Sequence, residues 1–179
     1  MKVLLGVTGG VAAKLTPKMV HAIIEAGHEI KVIVTEKSSY FQEIKDLNDD
    51  IEVLTDTHEW EGEKYLKDMP VAHIELRKWA DVIVIVPLTA NTLAKIANGI
   101  ADNLLTCVMR AWEVKKKPII IAPAMNTAMW EHPVTDEHIQ KLHRWHRMTV
   151  VGPISKNLAC GDTGKGAMAN INDIVDAIK

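Results

Sequence analysis

The chain has 179 residues, 47% of them hydrophobic and 25% charged, which is the profile of one ordinary folded domain spanning residues 1–179 and not of a disordered segment. Its 21 Lys and Arg stand against 23 Asp and Glu, for a formal charge of -2, so there is no overall basic footprint and nucleic-acid binding is not expected. Two cysteines, Cys107 and Cys160, are too few for a disulfide framework or a four-cysteine zinc site; with no apolar run of roughly 18 residues to span a bilayer, they predict a cytoplasmic protein that does not enter membranes.

Residues 3–7 form a short apolar run that ends in Thr8-Gly9-Gly10. It resembles the start of a signal peptide, but no small-residue cleavage pattern follows, and it reads as a first strand. Residues 11–26 carry Val11, Leu15, Met19 and Ile23 at helix-compatible spacing, with Gly27 as the stop. A second strand is predicted at 30–34 and a short helix at 38–47. The stretch 48–70 is acidic and aperiodic, with a short strand at 51–54 as its one regular piece. Residues 81–86 are almost continuously apolar, as in a parallel strand buried on both faces. Helices follow at 93–100 and 103–113, a strand at 118–122, a helix at 134–147, a strand at 148–151, a glycine-rich segment at 160–166 and a last helix from Ile171. Strands alternating with helices define an α/β protein with a doubly wound parallel sheet. In such sheets ligands bind beyond the carboxyl ends of the strands, where four polar loops of this sequence should converge.

Gly6-Val-Thr-Gly-Gly-Val-Ala-Ala13 joins a strand to a helix, so its backbone N–H groups are placed to hold an anion such as a single phosphate. It matches neither the dinucleotide fingerprint nor a Walker A loop. The same glycines also serve a plain tight turn, and the residues alone leave both readings open. Thr89 and Asn91, in Pro87-Leu-Thr-Ala-Asn-Thr92, suit helix capping or donation to a ligand. Asn126 lies among the methionines and tryptophan of Pro123-Ala-Met-Asn-Thr-Ala-Met-Trp130, a composition typical of a core, yet at a strand's carboxyl end its amide can donate to a carboxylate. His73 reads as part of a loop feeding the central strand, and by residue type alone it is more often structural than a base. His138, His143 and His146 lack the spacing of a metal pair. Cys160, in Cys-Gly-Asp-Thr-Gly-Lys-Gly166, is the thiol to suspect of reactivity, with Lys165 nearby. Cys107 reads as buried and inert.

Together with His73-Ile-Glu-Leu-Arg-Lys-Trp-Ala-Asp81, Asn98-Gly-Ile-Ala-Asp-Asn-Leu-Leu-Thr106 and Leu158-Ala-Cys-Gly-Asp-Thr-Gly-Lys-Gly-Ala-Met168, these segments resemble the flavin-dependent cysteine decarboxylase family in family order and over nearly the whole chain. The resemblance implies a Rossmann- or flavodoxin-like three-layer flavoprotein. It implies FMN as cofactor, held by Gly10, Val11 and Ala12, by Thr35 and Ser38, by Thr89, Ala90, Asn91 and Thr92, and by Ala124. His73 matches the family's catalytic base, Asn126 its substrate-carboxylate binder and Cys160 its proton donor. The implied reaction is decarboxylation of 4'-phospho-N-pantothenoylcysteine to 4'-phosphopantetheine in coenzyme A synthesis. Oxidation of the substrate thiol to a thioaldehyde provides the electron sink that loss of CO2 requires, and the resulting ene-thiolate is then reduced. A homotrimer or an assembly of trimers, with active sites between subunits, is also implied. Relatives that decarboxylate a peptide's C-terminal cysteine, or that act as non-catalytic regulators, are the alternatives. Lys14-Leu15 departs from the family's usual residues, Ala167 stands where bacterial two-domain members commonly carry arginine, and 179 residues leave no room for a fused ligase domain.

Overall fold

A computed structural model describes residues 1–41, 47, 50–60, 64, 67, 69–145, 147–157 and 163–179. Strand β1 (Lys2–Val7) runs into a 3-10 turn at Val11–Leu15, and helix α1 (Thr16–Glu25) follows. The single helix expected over 11–26 is therefore two pieces, because Pro17 lies at the start of α1, where a residue without an N–H is tolerated and its φ is already helical. Gly27 ends α1 with φ 81°. Then come β2 (Glu29–Val34), a 3-10 turn at Glu36–Tyr40, β3 (Glu52–Leu54) and a 3-10 turn at Asp56–His58. Half of the helix expected at 38–47 falls on residues 42–46, outside the described residues.

Helix α2 (Ala72–Trp79) precedes the central strand β4 (Val82–Leu88) and places His73 in its first turn, not in the expected loop. Sequence periodicity is weak there because Leu76 is the helix's one fully buried side chain. Helix α3 (Ala90–Ala97) starts three residues earlier than expected, because the Thr89 hydroxyl accepts the Thr92 N–H and caps it. In α4 (Leu104–Ala111), Asn103 and Thr106 form a reciprocal capping box. Strand β5 (Ile119–Pro123), a single turn of helix α5 (Thr127–Trp130), helix α6 (Pro133–His143) and β6 (Met148–Val150) follow. Last come β7 (Ile154–Asn157), β8 (Thr163–Ala167) and α7 (Ile171–Asp176).

Six strands form one parallel sheet in the order β3-β2-β1-β4-β5-β6, while β7 and β8 make a separate antiparallel ribbon. The sheet is buried on both faces, as the continuous apolar runs require. Leu4, Ile33, Ile83, Ile85, Ile119 and Ile121 meet residues of α2, α3, α4 and α6 on one side. Val3, Leu5, Val32, Val84 and Ile120 meet α1 and α7 on the other. Strands are added on one side of β1 up to β3 and on its other side from β4 onward, and the crevice at that switch point between β1 and β4 is where a ligand fits in a sheet of this order.

Candidate active site at the carboxyl edge of the sheet

A cleft of about 840 Å³ opens at that crevice. Gly9, Gly10, Val11 and Ala12 after β1, Thr35 after β2, Thr89 to Thr92 after β4, and Ala124 to Asn126 after β5 all line it. The four loops expected to converge do so because parallel strands deliver every β–α turn to the same edge.

Local chemistry holds these loops in place. The buried Thr8 hydroxyl donates to the Pro87 carbonyl (2.7 Å) and accepts the Thr89 N–H (3.0 Å), tying the first loop to the third. Thr35 Oγ1 contacts the Val7 carbonyl at 3.3 Å. Ser38 is buried and its hydroxyl donates to the Thr35 carbonyl (2.6 Å); it supports the second loop without lining the cleft. Gly10 is close to Thr89, and a Cβ there would meet Thr89 Cγ2 at 3.2 Å. Asn126 caps α5, its Oδ1 accepting the Ala128 N–H at 2.8 Å.

The ribbon closes one side: Lys156 of β7, and Gly166 and Ala167 of β8, line the cleft, and Met125 N–H donates to the Gly166 carbonyl at 2.9 Å. Cys160 belongs to the connection between β7 and β8 and lies outside the described residues. Lys95, Asp56 and Asp102 also line the cleft, and no pattern in the sequence singled them out as ligand contacts; Lys14, noted for its departure from the family's usual residue, lines it too. Lys95 donates to Asp102 Oδ2 (2.6 Å), a bond that holds the Asp102 carboxyl below its usual range.

His73 is not in this cleft. Its Nδ1 lies 2.5 Å from Glu59 Oε1, its backbone N–H donates to Glu59 Oε2 (3.1 Å), and Cys107 Sγ lies within 4.8 Å of the ligating atoms of both residues. Cys107 is half-buried, not enclosed, which corrects the expectation from sequence: its thiol lies beside Glu59 and His73. Desolvation pushes its thiol pKa up, with the carboxylates of Glu59, Asp102 and Asp56 adding to the effect.

A glycine that lets the first loop lie close to Thr89, backbone N–H groups at a strand-to-helix turn, threonine hydroxyls, and apolar contacts from Val11, Ala90 and Met129 suit a flat heteroaromatic ring with a phosphorylated tail. Fold and site thus define a mononucleotide-binding α/β protein. The chain belongs to the flavoprotein family, whose model matches residues 1–179. It is 45% identical over 179 residues to the phosphopantothenoylcysteine decarboxylase of Mus musculus, covering 99% of this chain and 85% of the mouse protein. Among solved structures, it is similar to a PPC decarboxylase variant complexed with pantothenoylaminoethenethiol (TM-score 0.93, 45% identity, 99% of this chain and 95% of that one). It is likewise similar to the FMN binding protein AtHal3 (TM-score 0.89, 46% identity, 99% and 94%). No helix among the described residues is long and apolar enough to cross a membrane.

Proposed function

We propose that this chain is an FMN-dependent decarboxylase that converts 4'-phospho-N-pantothenoylcysteine to 4'-phosphopantetheine in coenzyme A synthesis. The observation that carries the reading is the meeting of the Gly10, Thr89 and Asn126 loops in one cleft, in a chain 45% identical to the mouse phosphopantothenoylcysteine decarboxylase over 99% of its length.

Residues 1–179 act as a single FMN-binding domain. Gly10, Val11, Ala12, Thr35, Thr89, Ala90, Asn91, Thr92 and Ala124 hold FMN, with Ser38 acting through the Thr35 loop. FMN, when bound, would supply reversible two-electron chemistry, the electron sink that CO2 loss requires. Asn126 donates to the substrate carboxylate and fixes its direction of departure. His73 takes a proton from the substrate during oxidation, and Cys160 supplies one in the final reduction.

Since His73 does not line its own chain's cleft, it serves the cleft of a neighbouring copy, which supports active sites shared between subunits; the homotrimer or assembly of trimers, and the cytoplasmic location, are the forms we propose for it. Mass spectrometry of 4'-phospho-N-pantothenoylcysteine incubated with the FMN-loaded protein tests the reaction, and loss of one CO2 is expected. Bound FMN with this substrate left intact overturns the substrate assignment. A monomeric mass in solution, with full activity, overturns the shared site.

A further inference from the structure

Glu59 sits in the acidic stretch that the sequence leaves without a pattern, yet its side chain is 4% exposed. A carboxylate so far from water needs partners, because removing an unpaired charge from solvent is costly. Among the described residues, both hydrogen-bond partners belong to His73. Oε2 accepts the His73 backbone N–H at 3.1 Å, and Oε1 lies 2.5 Å from the ring's Nδ1.

We propose that Glu59 is the positioning residue of the general base, fixing His73 in the tautomer that carries its proton on Nδ1 and leaves Nε2 to accept one. An ionised carboxylate only accepts hydrogen bonds, so the ring nitrogen facing it must donate; a neutral imidazole has one N–H, so the other nitrogen must be the acceptor. The double attachment also sets the ring's position relative to its own helix, since the same carboxylate holds the backbone of the first turn of α2. His73 keeps 24% of its side chain exposed while Glu59 is enclosed, so the ring, unlike the carboxylate that holds it, can be reached from outside.

The turn that carries Glu59 is anchored independently. Asp56, three residues earlier, accepts the Leu104 N–H at the start of α4 (3.0 Å) and lines the cleft, and the Glu59 N–H donates to the Asp56 carbonyl (3.2 Å). One short turn therefore builds part of a cleft wall with Asp56 and sets the base with Glu59.

The neighbouring Cys107 raises the alternative of a metal bound by Glu59, His73 and Cys107. The hydrogen-bond separation of Oε1 and Nδ1 argues against it, because those two atoms already engage each other and leave no space for an ion between them. The thiolate such a site needs is also disfavoured by burial and, secondarily, by the surrounding carboxylates.

The kinetic part of the inference rests on the proposed reaction, whereas the tautomer does not. The test is 15N NMR of the ring nitrogens of the histidine-labelled, FMN-loaded protein at alkaline pH, beside steady-state CO2 release by wild type, Glu59→Gln and Glu59→Asp. A His73→Asn spectrum assigns the signal. Wild type should show His73 protonated on Nδ1. Glu59→Gln should keep its FMN, lose the fixed tautomer and drop kcat about 100-fold with KM little changed, the scale of a mispositioned base; Glu59→Asp should recover part of kcat. An Nε2-protonated His73 in wild type overturns the proposal whether or not the variants fold, and so does a Glu59→Gln enzyme with wild-type kcat. A wild-type protein that shows the Nδ1 tautomer but does not decarboxylate supports the positioning and overturns the reaction instead.

Discussion

Thr8 and Thr89, 81 positions apart, share one hydroxyl-centred junction: Thr8 Oγ1 accepts the Thr89 N–H at 3.0 Å while donating to the Pro87 carbonyl at 2.7 Å. The bond joins the ends of β1 and β4, the two strands that flank the switch point, and Thr89 is itself the cap of α3. Thr8 therefore sets the separation of the two loops proposed to hold FMN. Thr8→Val keeps the shape and removes the hydroxyl, leaving a buried carbonyl and an N–H without this partner. A loss of about 1–3 kcal/mol is expected, together with weaker FMN binding. Thermal melting of the apoprotein and a flavin fluorescence titration check the two parts. Unchanged FMN affinity would show that the junction does not shape the cleft.

The ribbon is seated by glycines. A Cβ on Gly166 would lie 2.3 Å from the Met125 carbonyl, and one on Gly164 would lie 2.6 Å from Thr127 Oγ1. Both contacts fall on the segment that carries Asn126. Gly166→Ala should push β8 off this segment, cost about 1–3 kcal/mol as an overpacked contact, and lower turnover at least about tenfold by misplacing substrate groups. FMN binding should survive, because most of the proposed FMN contacts lie on the loops after β1, β2 and β4. Parallel flavin titration and CO2 release separate the effects, and loss of both together would count against this division of labour.

Strands were legible in the sequence wherever burial on both faces left unbroken apolar runs. Residues 3–7, 82–86 and 119–122 are of this kind, and the loops after them could be placed before any side-chain geometry was known. Contacts between distant segments were not legible. Glu59 lies among other acids in an aperiodic stretch, and its partner is fourteen residues away. Helix α2 hides because a short helix with one fully buried residue shows too little of a 3.6-residue period. The β7–β8 ribbon escapes for a related reason. Thr-Gly-Lys-Gly-Ala has no alternating apolar face, since its glycines are chosen for close approach to the 125–127 segment and not for strand propensity.

Cys107 offers a measurement that does not depend on the proposed reaction. Burial, followed by the carboxylates of Glu59, Asp102 and Asp56, raises its thiol pKa. A raised pKa in an acid means that the folded chain keeps a proton the unfolded chain releases first. This group's contribution is therefore neutral below the unfolded thiol's pKa and becomes destabilising as pH rises through it toward the folded value. Alkylation of Cys107 by iodoacetamide in a Cys160→Ser background should be slower than for a free thiol at neutral pH and accelerate as pH rises past the ordinary thiol range. Glu59→Gln should speed it at fixed pH. Alkylation as fast as that of a model thiol would show that the carboxylates do not control this sulfur.

Asn126 combines two duties that a single substitution can separate. Its Oδ1 accepts the Ala128 N–H at 2.8 Å and caps α5, while its proposed duty toward substrate is to donate to a carboxylate. Aspartate caps helices about as well as asparagine, so Asn126→Asp should melt close to wild type and retain FMN. It replaces an amide with an anion, however, and two like charges in one cleft repel each other. Turnover of 4'-phospho-N-pantothenoylcysteine should fall at least about 100-fold through lost orientation and charge repulsion. Asn126→Ala removes both duties and should additionally lose about 1 kcal/mol of stability with the cap. Melting curves beside kcat/KM for the two variants give the comparison. An Asp variant with near wild-type kcat/KM would remove Asn126 from the substrate site and leave it a helix cap alone.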